Sequence, residues 1–203
     1  MRSVNLHSVT QTNTGSLATN VSFFILILTI LLLPLIAQSD DLFDSLMKLA
    51  KEGNAEAQFK VGEMYETGIG AKQDKRESIY WTTRSANQGN ETAGFKLLYW
   101  DVEKKGLQAS NKVNIEELNN KAKQGNAQAQ YYLGKMYAYG VGINKNPEVA
   151  INWLNKASLA GVLEAELELT SVREQLQREA QKKKRFESDI CSGKVARFTS
   201  TCR

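Results

Sequence analysis

Beyond residue 7 the sequence contains no histidine, and His7 lies within the first few residues. The rest of the chain therefore lacks the commonest general base, the histidine of nucleophilic triads and any imidazole ligand for zinc. Cysteine is almost as scarce: Cys191 and Cys202 are the whole supply, both at the C-terminal end. With two prolines the chain is not linker-rich. A Gly-Lys-Ser/Thr phosphate loop is absent. Carboxylates are plentiful, but no pair is marked out by its surroundings. Composition leaves a Ser-Lys dyad open, and nothing points to one. No catalytic residue, metal or cofactor is assigned, and the expectation is a protein that is not an enzyme.

Long apolar runs are missing except one, "VSFFILILTILLLPLIA", from Val21 to Ala37. Arg2 and His7 precede it, and Ala37-Gln38-Ser39 places small residues before Asp40. This is the pattern of a secretory leader over residues 1–39, cleaved before Asp40. The rival reading is a retained anchor over 21–37. At ~1.5 Å per residue the run reaches about 25 Å, short of the ~30 Å hydrocarbon core. In an oxidising compartment Cys191 and Cys202 are expected to form a disulfide, closing residues 188–203 into a tail. Such a loop is worth roughly 3 kcal/mol in the chain-entropy model.

The net charge of +4 is unevenly spread. From Asp40 to Val172 there are 18 acidic and 16 basic side chains; from Arg173 onward there are 9 basic and 4 acidic. The body is near neutral and the tail basic, with Lys182, Lys183, Lys184 and Arg185 as its densest run.

What the chain does have is repetition. Gly53, Gly89, Gly125 and Gly161 stand 36 residues apart, as do Ala57, Ala93, Ala129 and Ala165. Phe59, Phe95, Tyr131 and Leu167 share another bulky position. A fixed period in this range is the mark of a solenoid. Each unit reads as two helices. The first starts after an Asn cap (Asn54) and buries Ala57, Val61, Met64 and Tyr65 on one stripe. Gly62 inside it points to close approach of a neighbouring helix, since glycine there costs ~1 kcal/mol relative to alanine. Gly68 and Gly70 shape the turn. The second helix starts at Asp74, at Asn146-Pro147 in the third unit, and at Asn114 with Glu117 in the second. Trp81 and Trp153 lie mid-helix, where a ring fills the space between helix pairs. The Gly-x-Gly at Gly68 and at Gly140 thus joins two helices, whereas a dinucleotide fingerprint follows a strand.

The phrase "LGKMYAYGVGINKNPEVAINWLNKASLAGVLEA" resembles the Sel-one-like repeat (SLR) family, relatives of the tetratricopeptide repeats. Units one (53–88) and three (125–160) match its pattern. Unit two (89–124) is degenerate: Leu98 replaces the helix glycine, Asp101 the tyrosine and Glu117 the tryptophan, and "KKGLQASNK" replaces the turn. The resemblance implies an all-α, right-handed α/α solenoid of about three 36-residue repeats. A capping helix over 40–52 would close one end and a long helix over 161–187 the other, with Ala165, Leu169, Val172, Leu176 and Ala180 as the latter's apolar stripe.

The resemblance also places partner binding on the first helices, which line the concave face in such solenoids. The positions there that change between units are Glu56, Lys60, Glu63 and Thr67; Thr92, Lys96, Tyr99 and Glu103; Gln128, Tyr132, Lys135 and Tyr139. Their 4-3-4 spacing puts each set on one face. Tyr99, Tyr132 and Tyr139 are the expected aromatic anchors. The expected function is an exported, non-catalytic adaptor that holds a protein partner, periplasmic if the source is a bacterium. The alternative is an envelope-attached protein whose basic tail contacts membrane or cell-wall polymer. Nucleic acid is not expected for an exported chain. One cysteine-rich branch of the family is linked to β-lactam hydrolysis; this chain lacks paired cysteines in its repeats, so that activity is not carried over.

Overall fold

Asn54, Asn90 and Asn126 are 36 residues apart, and each side chain accepts a hydrogen bond from the backbone N–H three residues on, at 2.8, 3.0 and 2.9 Å. Each therefore satisfies an orphan donor and starts a helix. The computed structural model describes residues 42–191, and this stretch forms eight helices with no strand. They are α1 (42–51), α2 (Ala55–Thr67), α3 (Lys75–Asn87), α4 (Glu91–Lys105), α5 (Ala109–Lys123), α6 (Ala127–Tyr139), α7 (Pro147–Leu159) and α8 (Leu163–Cys191). The fold is all-α, a solenoid of helix pairs α2/α3, α4/α5 and α6/α7. Helix α1 lies before them and α8 after them. The apolar run 21–37 and Cys202 lie outside the described residues, as does the side chain of Cys191.

Units one and three are built alike. Gly68 and Gly140 end their helices at φ 79° and 74°. The Asp74 N–H then returns to the Tyr65 carbonyl at 2.9 Å, and the Asn146 N–H to the Tyr137 carbonyl at 2.8 Å. Asp74 caps α3; Asn146 caps α7, with Pro147 in the first turn, where its missing N–H is not needed. The two helices of each pair then meet at a glycine. A Cβ on Gly62 would lie 2.6 Å from Thr82 Oγ1 and 3.2 Å from the Thr82 backbone nitrogen. One on Gly134 would lie 2.8 Å from Leu154 Cγ. Gln58 and Gln130 bind each first helix to the unit before it. Their Nε2 atoms donate to the carbonyls of Ala50 and Ala122 at 2.9 and 3.1 Å.

Unit two departs from this plan. Helix α5 begins at Ala109, not at Asn114, and its N-cap Gln108 makes no side-chain cap bond. The expected Asn114–Glu117 start is therefore wrong. The chain turns at Gly106, and Asn111 donates to Asp101 Oδ2 at 3.0 Å, so the Asp in place of the tyrosine fastens the early helix start. Helices α4 and α5 share a much smaller contact than α2/α3 or α6/α7. Leu98 at the glycine position holds them apart.

The core runs along α4, α5 and α6 and continues through α7 into α8. Leu118, Leu133, Met136 and Leu154 are fully buried, each worth ~1.5–3 kcal/mol. At the start, Phe43 of α1 packs edge-on to Tyr65, ring centroids 5.5 Å apart. Met64 is only half-buried where its counterpart Met136 is fully buried, because α1 covers less than a full unit would; Tyr65, like Tyr137, is half-buried. At the other end Ala165, Leu169 and Val172 are buried and Leu176 half-buried, while Ala180 is exposed. Leu167, at the bulky position shared with Phe59, Phe95 and Tyr131, is 75% exposed, because among the described residues no helix packs over that side of α8. Helix α8 continues to Cys191, past the expected boundary at 187.

The same substitution is expected to act with opposite sign at two helical glycines. Gly134→Ala drives a methyl into Leu154 and should destabilise by about 1–3 kcal/mol. Gly94→Ala, with nothing within 4 Å of the new Cβ, should stabilise by up to about 1 kcal/mol. Urea unfolding of both variants checks this; equal effects would refute the packing account.

Candidate functional site

Along α2, α4 and α6 the positions that differ between units point into one groove of about 400 Å³. Of the nine expected binding residues, Lys60, Glu63, Lys96, Tyr99, Gln128, Tyr132 and Lys135 line it. Glu56 and Tyr139 do not. Glu56 is exposed and accepts from Asn90 Nδ2 at 3.1 Å, bracing the first two units. Tyr139 donates to Glu168 of α8. Thr67 and Thr92 also line the groove.

The tyrosines take a different role from the one expected. Tyr99 and Tyr132 are each only 5% exposed, so they form the floor rather than protruding anchors. Tyr132 packs against Phe95, Tyr99 and Tyr131, with centroids 6.4, 6.4 and 4.9 Å away. The reason is geometric. Helices α4 and α6 pack against each other, and the Tyr99 ring reaches that of Tyr132 before it reaches solvent. Sequence alone missed Phe59, Glu66, Trp100, Tyr131 and Glu164 in the lining. Phe59 and Tyr131 share the repeated bulky position; Phe59 is buried and Tyr131 half-buried, each with one side on the groove.

Charge in the groove is mostly paired. Lys96, 7% exposed, bridges Glu66 at 2.5 Å and Glu63 at 3.5 Å, and lies over the rings of Phe59 and Trp100 at 5.2 and 5.5 Å. Burial acts to lower the Lys60 pKa, but the 2.9 Å hydrogen bond and charge of Glu63, with the charges of Glu56 and Glu164, outweigh it and leave it raised. Lys60 on α2 and Glu164 on α8 line the same groove, so these two helices border its opening. Lys135 is different. It sits 4.6 Å over the Tyr99 ring and 5.6 Å over that of Tyr131, and no carboxylate among the described residues pairs with it. The groove thus presents an aromatic floor and one ammonium without a counter-ion. Among the described residues no cluster of His, Cys, Asp or Glu could hold a metal ion.

The match to a family model follows this construction. The family model described as Sel1 repeat matches residues 55–90 and 127–162, the two complete helix pairs. These segments are Sel1 repeats. Unit two falls between them, where the sequence departs from the pattern. A curated relative, chitin synthase regulatory factor 3 of Schizosaccharomyces pombe, is 34% identical over 130 residues, 63% of this chain and 14% of that protein. Two solved structures are similar. One is a protective antigen of uropathogenic Escherichia coli with an SLR fold, 32% identical, covering 68% of this chain and 30% of that one, with a TM-score of 0.44. The other is a Sel1 repeat protein from Oxalobacter formigenes, 25% identical, covering 66% and 49%, with a TM-score of 0.37. The chain therefore spans less than half of each of these relatives.

Burial, first, raises the pKa values of Tyr99, Tyr131 and Tyr132, helped by Glu103 at Tyr99 and by Glu168 at Tyr131. A raised tyrosine pKa gives stability that is complete below the unfolded value near 10 and is lost as pH climbs above it. In an alkaline titration part of the tyrosinate absorbance should lag until helicity is lost. All tyrosines ionising together near pH 10, with helicity intact, would contradict a buried tyrosine floor.

Proposed function

We propose that this Sel1-repeat protein is a non-catalytic adaptor that holds a segment of a protein partner in the groove formed by α2, α4 and α6. The observation that carries the reading is Lys135, a half-buried ammonium on a tyrosine shelf with no carboxylate partner among the described residues. A half-buried, unpaired cation beside an aromatic floor favours a carboxylate with an apolar neighbour. Lys96 with Glu63 and Glu66 is already neutralised, so it sets shape rather than attraction. That one relative is named as a regulatory factor is consistent with a binding role.

Export remains part of the proposal, through the leader reading of residues 1–39, with the periplasm as the compartment in a bacterial source. The second reading concerns Lys182, Lys183, Lys184 and Arg185. All four are exposed on the part of α8 that extends past the packed segment ending near Leu176. Such a basic arm suits an anionic envelope surface. Among the described residues no helix is long and apolar enough to cross a membrane.

Cross-linked capture from envelope extract tests both readings with three forms of the chain. These are wild type, Lys135→Glu with Thr92→Arg, and a form with residues 182–185 changed to Gln. The groove variant should lose the captured protein by tenfold or more while keeping its helicity, and the tail variant should retain it. Loss only in the tail variant would replace the adaptor reading by the surface-binding one. The mass of the protein recovered from cells decides between removal and retention of residues 1–39.

A further inference from the structure

The internal repeat provides a control for the degenerate unit, because each position in it has two counterparts of known environment. Three of these differences fall in one place. The buried glutamines Gln58 and Gln130 correspond to Gly94. The tryptophans Trp81 and Trp153 correspond to Glu117, and the close-packed glycines Gly62 and Gly134 to Leu98. Unit two has thus lost a carboxamide and an indole and gained a wedge.

The result is a cavity of about 320 Å³ between α3, α4 and α5, lined by Ala86, Gly94, Phe95, Leu98, Glu117 and Lys121, among others. A Cβ on Gly94 would meet nothing within 4 Å. The counterparts indicate what the space is shaped for. In units one and three the glutamine donates to the carbonyls of Ala50 and Ala122. The counterpart of both alanines is Ala86, on the cavity wall, and Gly94 has no side chain to offer its carbonyl. Trp81 packs in the cluster that holds Ala50, and Trp153 against the cluster that holds Ala122. At the rim Lys121 bridges Glu91 Oε1 and Glu117 Oε1, and Asn126 donates to Glu91 Oε2, which leaves Glu117 Oε2 able to accept an N–H. The apolar wall and the acceptors together match an indole with an adjacent amide.

We propose that this cavity is a second docking site, separate from the α2/α4/α6 groove, which receives a tryptophan side chain of a protein partner. The indole ring lies on Phe95 and Leu98, with its N–H toward Glu117. An amide beside it donates to the Ala86 carbonyl. The incoming residue completes the repeat that the chain's own sequence leaves open. A partner that fills it also ties α5 to α4, where the wedge at Leu98 has loosened the pair. Because the site uses no residue of the groove, it stands or fails independently of the adaptor reading.

N-acetyl-tryptophanamide, which carries the indole and the amides, is the probe. Added to the full chain, it should shift the backbone amide resonances of Gly94, Leu98 and Glu117 saturably; N-acetylglycinamide should leave them in place. Gly94→Gln with Glu117→Trp fills the space from within. That variant should melt at a higher temperature than wild type and lose the saturable shifts. Gly94→Gln alone, should the double change not fold, is expected to weaken probe binding at least threefold. No saturable shift in wild type, shifts that persist in the filled variants, or a lower melting temperature for Gly94→Gln would each overturn the proposal.

Discussion

The distance between the two helices of a repeat is set by the absence of a side chain at one position. Gly62 and Gly134 let a first helix approach its partner so closely that a single methyl would overlap Thr82 or Leu154. Everything else in units one and three follows from that approach. The glycine turn can close with one backbone bond to Tyr65 or Tyr137, and the buried glutamine can reach the preceding helix end. The seams themselves are filled differently. Ala150, Leu154 and Ala157 make that of unit three apolar, while unit one uses Ser78, Thr82 and Ser85. Of these, Ser85 donates to the Ala55 carbonyl, but the hydroxyls of Ser78 and Thr82 find no partner among the described residues. An unpaired buried polar group costs ~1–3 kcal/mol, so unit one is the weaker of the two complete units.

Unit two shows what happens when the constraint is lifted. Leu98 separates α4 from α5, and the chain compensates by other means. Asp101 fixes the early start of α5 through Asn111, and Lys105 and Asn111 hold the Asp101 carboxyl below its usual range. Leu118 and Ala122 turn toward α6 rather than toward α4 alone. The middle of the solenoid is therefore held mainly by its neighbours. It is also where the chain has free space, which links the packing fault to a binding surface.

Much of this was legible in the sequence. The period of 36, the Asn caps, the Gly-x-Gly turns and the helix glycines each follow from a local rule that one residue type satisfies. Legibility ended where the answer depended on curvature. Most of the variable stripe on α2, α4 and α6 lines one groove, yet whether Tyr99 stands proud or lies flat depends on how closely α4 and α6 pack. Spacing places Lys96 on the expected binding face, and only the ion pairs from α4 to α2 show it clamped between Glu63 and Glu66. The start of α5 was misplaced because Asn114 carries a cap signal that the shorter link after Gly106 overrides. Gly94 gave no warning at all: one residue among regular helix formers, informative only once Gln58 and Gln130 were seen buried.

Native-state hydrogen exchange, read helix by helix, tests the central claim most directly. If the glycine-mediated approach holds each pair together, the amides of α6/α7 should be the slowest to exchange and those of α2/α3 the next. Those of α4/α5 should open at lower free energy than either complete pair. Equal protection across the three pairs, or greatest protection in α4/α5, would contradict the account.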